Sequence, residues 1–453
     1  MLTHPRHEAA QKTLADLIIQ LRAVRTVPEG YEFQQELLVR RLEADEARNG
    51  YSRAVKRMRR GRGPQAGAPE PQSGGDPTLL ETWQFEHDVC ERIARQYMCI
   101  GDALAWRVFG FERRYIIALS QNAPPGVMAG KEGLGAEREQ VARAWREDGR
   151  FALLHDLTNC LRIGDVTVFG NDGSHKIVEV KSDPERRSSA QLRRIRTAEA
   201  ALQGAGPLPG EDRRARLFDL DVPFRTHLDL LRTGTERAAV EGLFVARVPG
   251  DRALFVTDIY GYTAQGWTDD EWGDRVSRKF TAALRRAGIA EDRTRNIHAT
   301  SADAVSRDPL RVPFAAYPLH PVACARLIGD LAVFYVETSG PALADSLCEA
   351  GIQSRWILPP GRWELAARDV LMEMSAEFSS PVPDAIADRV FHRRDLRAVL
   401  TRTLQMYRSE MDRYLIEMLD QETWIEGIRY LLGAYDMEGR PWPHYCGENQ
   451  VWV

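Results

Sequence analysis

Residues 162–183, RIGDVTVFGNDGSHKIVEVKSD, restrict the possible folds more than any other stretch of the chain. Apolar residues alternate on both sides of GNDGS, whose Gly, Asn, Asp and Ser are turn formers, so the segment predicts a β-hairpin. Glu179 and Lys181 lie two apart in the second strand and share one face, while Val178 and Val180 share the other. Pairing across the turn returns Asp165, at the start of the first strand, to the neighbourhood of Val178 and Glu179. Two carboxylates and an ammonium then converge on one patch. An edge strand with one solvated face would explain the same charges without chemistry.

The flanking sequence adds to this patch. GLGAEREQVARAWREDG predicts a helix with Leu134, Glu137, Val141 and Trp145 on one face. Strand-like segments follow from Phe151 to Lys181, and SSAQLRRIRTAEAALQ predicts a second helix, ended by GAGPLPG. Glu137 falls on the core-facing stripe, although a carboxylate in a first helical turn is also favoured by the helix dipole. Gln191 has capping-box spacing from Ser188. Arg186, Arg187, Arg193, Arg194 and Arg196 make the second helix and its approach basic, either as a solvated face or as contacts to phosphates. Hard oxygen ligands such as Asp165 and Glu179 suit Mg²⁺.

Asp165, thirteen intervening residues and then Glu179-Val180-Lys181 resemble the PD-(D/E)xK nuclease superfamily, over about residues 130–205. The resemblance implies a restriction-endonuclease-like α/β core of helix, central mixed sheet and helix. It implies Asp165 and Glu179 as metal ligands with Glu137 as a third, and Lys181 as the catalytic lysine. Gln191 matches a glutamine that some members carry. Mg²⁺ is the implied cofactor, with Mn²⁺ able to substitute. The implied activity is hydrolysis of DNA phosphodiesters; a nuclease core set within a long chain also suggests defence against foreign DNA as a setting. The implied partners are DNA and a second copy of the chain. Two departures are present: Gly164 stands where the family has proline, and Ile195 where some subfamilies have tyrosine. A scaffold retaining the fold without catalysis, and an RNA-directed nuclease, are the alternatives.

Beyond this core the chain says less. Its 453 residues suggest two or three domains. Net charge is −4, so nucleic-acid contact would need local basic patches. Residues 1–60 are expected to form a helical N-terminal segment, with Leu14, Leu17, Ile18 and Leu21 as its apolar stripe. Residues 61–78 read as an unpacked Pro/Gly/Ser-rich linker, 79–265 as the nuclease domain and 266–453 as a C-terminal α+β domain. Within the last, a long helical stretch is expected through AVLTRTLQMYRSEMDRYLIEMLDQETWIEGIRYLLGAY. LFVARVPGDRALFVTDI predicts a hairpin turning at Pro249-Gly250-Asp251.

The six cysteines lie apart, with no C-x-x-C pair. No signal-peptide core or membrane-length apolar run is evident, so a cytoplasmic protein without membrane contact is expected. His4 and His7, near a terminus expected to be mobile, look like bystanders. MAGKEGLG, around Lys131, lacks the spacing of a phosphate-binding loop. Only six of 61 basic residues are lysines, Lys131 and Lys181 among them.

Overall fold

A computed structural model describes the chain apart from residues 1–3, 64–68, 77, 121–125, 171, 181–188, 204–205, 210–215, 218–223, 290–294, 303–309, 358–364, 367, 382–396, 434–442 and 445–453. It is a mixed α/β protein of two compact units. The first comprises Met1–Asp219, Val305–Ala332 and Pro441–Val453, and the second comprises Leu220–Ala304 and Val333–Arg440. The N-terminal helices therefore share a unit with the 130–205 core. Residues 220–265 belong with the C-terminal region instead.

The first unit begins with α1 (Pro5–Ala23) and α2 (Val27–Met58). Pro28 and a capping box between Thr26 and Glu29 start α2 afresh. The stripe of Leu14, Leu17, Ile18 and Leu21 is buried. α2 packs along α3 (Leu80–Val108), where Tyr51, Ala54 and Val55 meet Trp83 and Cys90. The N-terminus does not behave as a mobile end with bystander histidines. His4 is buried, caps α1 and pairs with Glu86 at 3.2 Å, and His7 is buried beside Gln96. Described residues of the expected linker are also tied down: the amides of Gln72 and Ser73 donate to Glu86, and Glu70 accepts from the Tyr51 hydroxyl.

After α4 (Arg113–Leu119) come α5 (Leu134–Asp148), β1 (Ala152–Leu154), β2 (Val166–Phe169), β3 (His175–Val178) and α6 (Ser189–Leu202). Gly149, in the left-handed region, ends α5. The expected order of helix, three strands and helix is present. The expected mixed sheet is not: among the described residues β1-β2-β3 is wholly antiparallel, its strands joined by the 155–165 connection and the turn before His175 with no crossover α-helix between them. β4 (Arg216–Leu217) pairs in parallel with β12 (Pro443–His444), and α10 (Pro321–Ile328) packs on α1.

In the second unit, α7 (Leu228–Glu241) precedes the predicted hairpin of β5 (Leu243–Val248) and β6 (Arg252–Asp258). These strands join β7 (Asn296–Thr300) and β8 (Ala332–Ser339) in the order β5-β6-β8-β7. α8 (Ile259–Ala264) and α9 (Asp269–Arg286) follow β6, and α9 lays Phe280, Ala283 and Leu284 against Ala253. α11 (Gly340–Glu349) leads to a second antiparallel sheet of β9 (Gln353–Trp356), β10 (Val370–Pro381) and β11 (Arg397–Tyr407).

The helical expectation fails over β11. Leu404 and Met406 are buried at a period of two, and Thr401 and Thr403 favour the extended chain. Helix resumes only in α12 (Arg408–Ile416) and α13 (Gln421–Gly433). Among the described residues no helix is long and apolar enough to cross a membrane.

Candidate metal centre

β2 pairs with β3 in a register that runs from Phe169 opposite His175 to Val166 opposite Val178, where the paired ladder ends. Asp165 is held from both sides. Its amide donates to the Val178 carbonyl at 2.9 Å, and its carbonyl accepts from His155 N–H at 3.0 Å. Its Oδ2 accepts the Val180 amide at 2.8 Å. That side-chain acceptor takes an amide that a longer ladder would have paired with backbone, and β3 ends at Val178. Glu179 therefore lies one residue beyond the strand, where it had been expected within it. Both Glu179 carboxylate oxygens are shielded from solvent. Lys181 lies outside the described residues, as do Arg186, Arg187 and Ser188.

The backbone at Gly164 is closed to proline. Its φ is +76°, which a proline ring cannot adopt, and an added Cβ would lie 2.4 Å from Ile177 Cγ2. The carbonyl of this glycine accepts Nδ1–H of the buried His155 at 3.1 Å, and Nε2 accepts the Thr167 hydroxyl at 2.7 Å. Bonding at both nitrogens fixes the ring beneath the start of β2.

Glu137 falls on the buried face of α5, as its spacing predicted, and is 1% exposed. Its Oε1 accepts from Lys131 Nζ at 2.7 Å. Its Oε2 is buried with no hydrogen-bond partner among the described residues. Burial pushes the Glu137 carboxyl above its ordinary range. Lys131 opposes that shift, and the negative charges of Asp156 and Asp165 add to it. Lys131 Nζ also donates to Asp156 Oδ2 at 2.6 Å. Burial alone would lower the Lys131 ammonium, but its two carboxylate partners more than offset this and hold it above the usual value. The buried Arg41, paired with Asp45, and Arg162 also lie within the field of Asp156.

On α6, Gln191 is half-buried, while Arg193, Arg194 and Arg196 are exposed. The structure thus adds His155, Asp156 and Lys131 to the residues expected from sequence. The scarcity of lysine that drew attention to Lys181 applied equally to Lys131.

A separate group on α3 can hold a metal ion: ligand atoms of His87, Asp88 and Glu91 lie within 4.8 Å of one another. Glu91 is already paired with Arg48 at 3.0 Å and Arg95 at 3.3 Å, and Asp88 accepts from Gln84 at 2.8 Å. An ion there would have to displace or accommodate two guanidinium groups.

Comparison with protein-family models, curated proteins and solved structures returns no match for this chain.

Proposed function

We propose that the chain is a Mg²⁺-dependent nuclease that hydrolyses DNA, with Mn²⁺ able to replace Mg²⁺ and a dimer of the chain as its working form. The observation that supports this reading is the Asp165 carboxylate bonded to the amide of Val180, the residue after Glu179, with its charge acting on the buried helical carboxylate Glu137. The carboxylate oxygens are of the kind a hard divalent cation takes, and Glu137 Oε2 is buried without a partner among the described residues. Among those residues, however, the trio whose ligand atoms lie within 4.8 Å of one another is His87, Asp88 and Glu91, so an ion would have to draw Asp165, Glu179 and Glu137 together. The cluster already accepts a cation in the form of the Lys131 ammonium.

When bound, Mg²⁺ supplies Lewis-acid stabilisation of the charge that gathers on a phosphate under attack by water. The chain's own groups do the rest. Asp165 has its orientation fixed before any ligand arrives, because backbone groups engage its amide, its carbonyl and Oδ2. Glu179 and Glu137 supply the further oxygens. Lys181, two residues after Glu179, is assigned the proton transfer to or from the attacking water. Gln191 is assigned to orienting that water or the phosphate. The exposed arginines of α6, with Arg186 and Arg187 before it, are assigned to the phosphate backbone.

Plasmid cleavage tests this reading. Mg²⁺-dependent cutting should be abolished by EDTA and reduced about 100-fold or more by Lys181→Ala or Glu179→Gln, with folding retained by circular dichroism. Equal cutting by wild type and Lys181→Ala would overturn catalysis by this site. Faster cleavage of labelled RNA than of DNA in parallel would overturn the substrate.

A further inference from the structure

We infer that Asp156 is a further carboxylate of the cation site and that Lys131 is its resident counter-charge, which yields to a divalent ion. The inference rests on the metal-site reading above and deepens it. Lys131 Nζ bridges carboxylates from two elements, Glu137 on α5 at 2.7 Å and Asp156 on the turn after β1 at 2.6 Å. One ammonium therefore balances two acids, and the negative charges of Asp156 and Asp165 both act on Glu137.

The three partners differ in how freely they can move. The Glu137 side chain is 2% exposed, whereas Lys131 is 32% and Asp156 29% exposed. Lys131 also sits on a flexible four-carbon stem. The backbone below it is fixed from α2: Met128 N–H donates to Asp45 at 2.8 Å, Arg41 donates to the Gly126 carbonyl at 3.3 Å, and Asn49 donates to the Ala129 carbonyl at 3.2 Å. The turn bearing Asp156 is fixed from α3. Asp102 accepts the amides of Asn159 and Cys160, and Gly101 lies so close that a Cβ there would be 1.9 Å from the Leu157 carbonyl oxygen. The two anchored segments thus carry Lys131 and Asp156, and the group that bridges the acids is an ammonium on a flexible stem. If Lys131 swings out, Glu137 stays behind as a buried anion, a state that is costly unless another cation takes the place of the ammonium. A divalent ion meets that need with twice the charge.

Mn²⁺ binding to the full-length chain, followed by electron paramagnetic resonance without nucleic acid, tests the inference. A His87→Ala background removes the group on α3. Lys131→Met should tighten Mn²⁺ about tenfold by deleting a competing charge. Asp156→Asn should weaken it by about tenfold to a hundredfold. Mn²⁺ affinity in Lys131→Met equal to or below that of the parent overturns the counter-charge role. If that variant does not fold, Asp156→Asn decides, and an unchanged affinity there overturns the inference. A parent that binds Mn²⁺ with both expected shifts but cuts no nucleic acid defeats the nuclease reading and leaves this inference standing. A parent that cuts while both variants bind Mn²⁺ as it does leaves the nuclease reading and defeats the inference. A parent that binds no Mn²⁺ defeats both.

Discussion

His155 shows how one side chain ties the candidate centre to stability. It is buried, and because a carbonyl can only accept, the Gly164 contact requires the proton on Nδ1, leaving Nε2 to accept from Thr167. Burial lowers its pKa to about 4. In the unfolded chain a histidine titrates near roughly 6.5. Between these values the unfolded state binds the extra proton, so stability is complete above about pH 6.5 and falls as the pH drops towards 4, by roughly 3 kcal/mol. The urea midpoint of the wild type should therefore decline across that window, and His155→Gln should decline less. Parallel profiles for the two would contradict a neutral buried ring. At this scale the sequence showed which residue types cluster but not their partners. Glu137 was recognisable from its place on an apolar stripe. The Lys131 bridge to Asp156 was not, since it joins residues 25 apart through a turn whose path no local pattern predicts.

Among the elements, α2 matters more to the centre than an N-terminal extension would. Its buried Gln34 donates from Nε2 to the Ala152 carbonyl at 2.8 Å and accepts the Leu154 amide on Oε1 at 2.9 Å. The side-chain amide takes the place of a neighbouring strand along the open edge of β1. Gln34→Leu keeps the volume but leaves a buried carbonyl and a buried amide unpaired, at about 1–3 kcal/mol each. A lower urea midpoint and faster hydrogen exchange at the Leu154 amide are expected. Unchanged exchange there would mean that β1 is held by other contacts. The strand β11 illustrates the opposite difficulty. Its run of Val, Leu and Thr carries both periods, and pairing with β10 decides between them.

Across the whole molecule, the chain leaves the first unit after Asp219 and returns to it for Val305–Ala332. Arg22 at the end of α1 receives the returning segment, donating to the carbonyls of Tyr317 and Leu319 at 2.7 Å each. Arg92 does the same for Gly329 at 3.0 Å and pairs with Asp330. Arg22→Met should lower the stability of this unit by about 1.5–3 kcal/mol for each lost charged hydrogen bond at most. Hydrogen exchange should accelerate at residues 317–328 and stay unchanged in β5 and β6. Equal acceleration in both regions would mean that the units unfold together.

Turn residues, strand alternation and helical stripes by themselves determined the 162–180 hairpin and the helices on either side of it, because these follow from patterns local in the chain. Only the tertiary structure decided that α2 and α3 support the centre, that Gly164 occupies a conformation closed to proline, and that Lys131 and Asp156 join Glu137. Those outcomes depend on backbone approach and charge pairing between segments tens of residues apart, where local propensity carries no information.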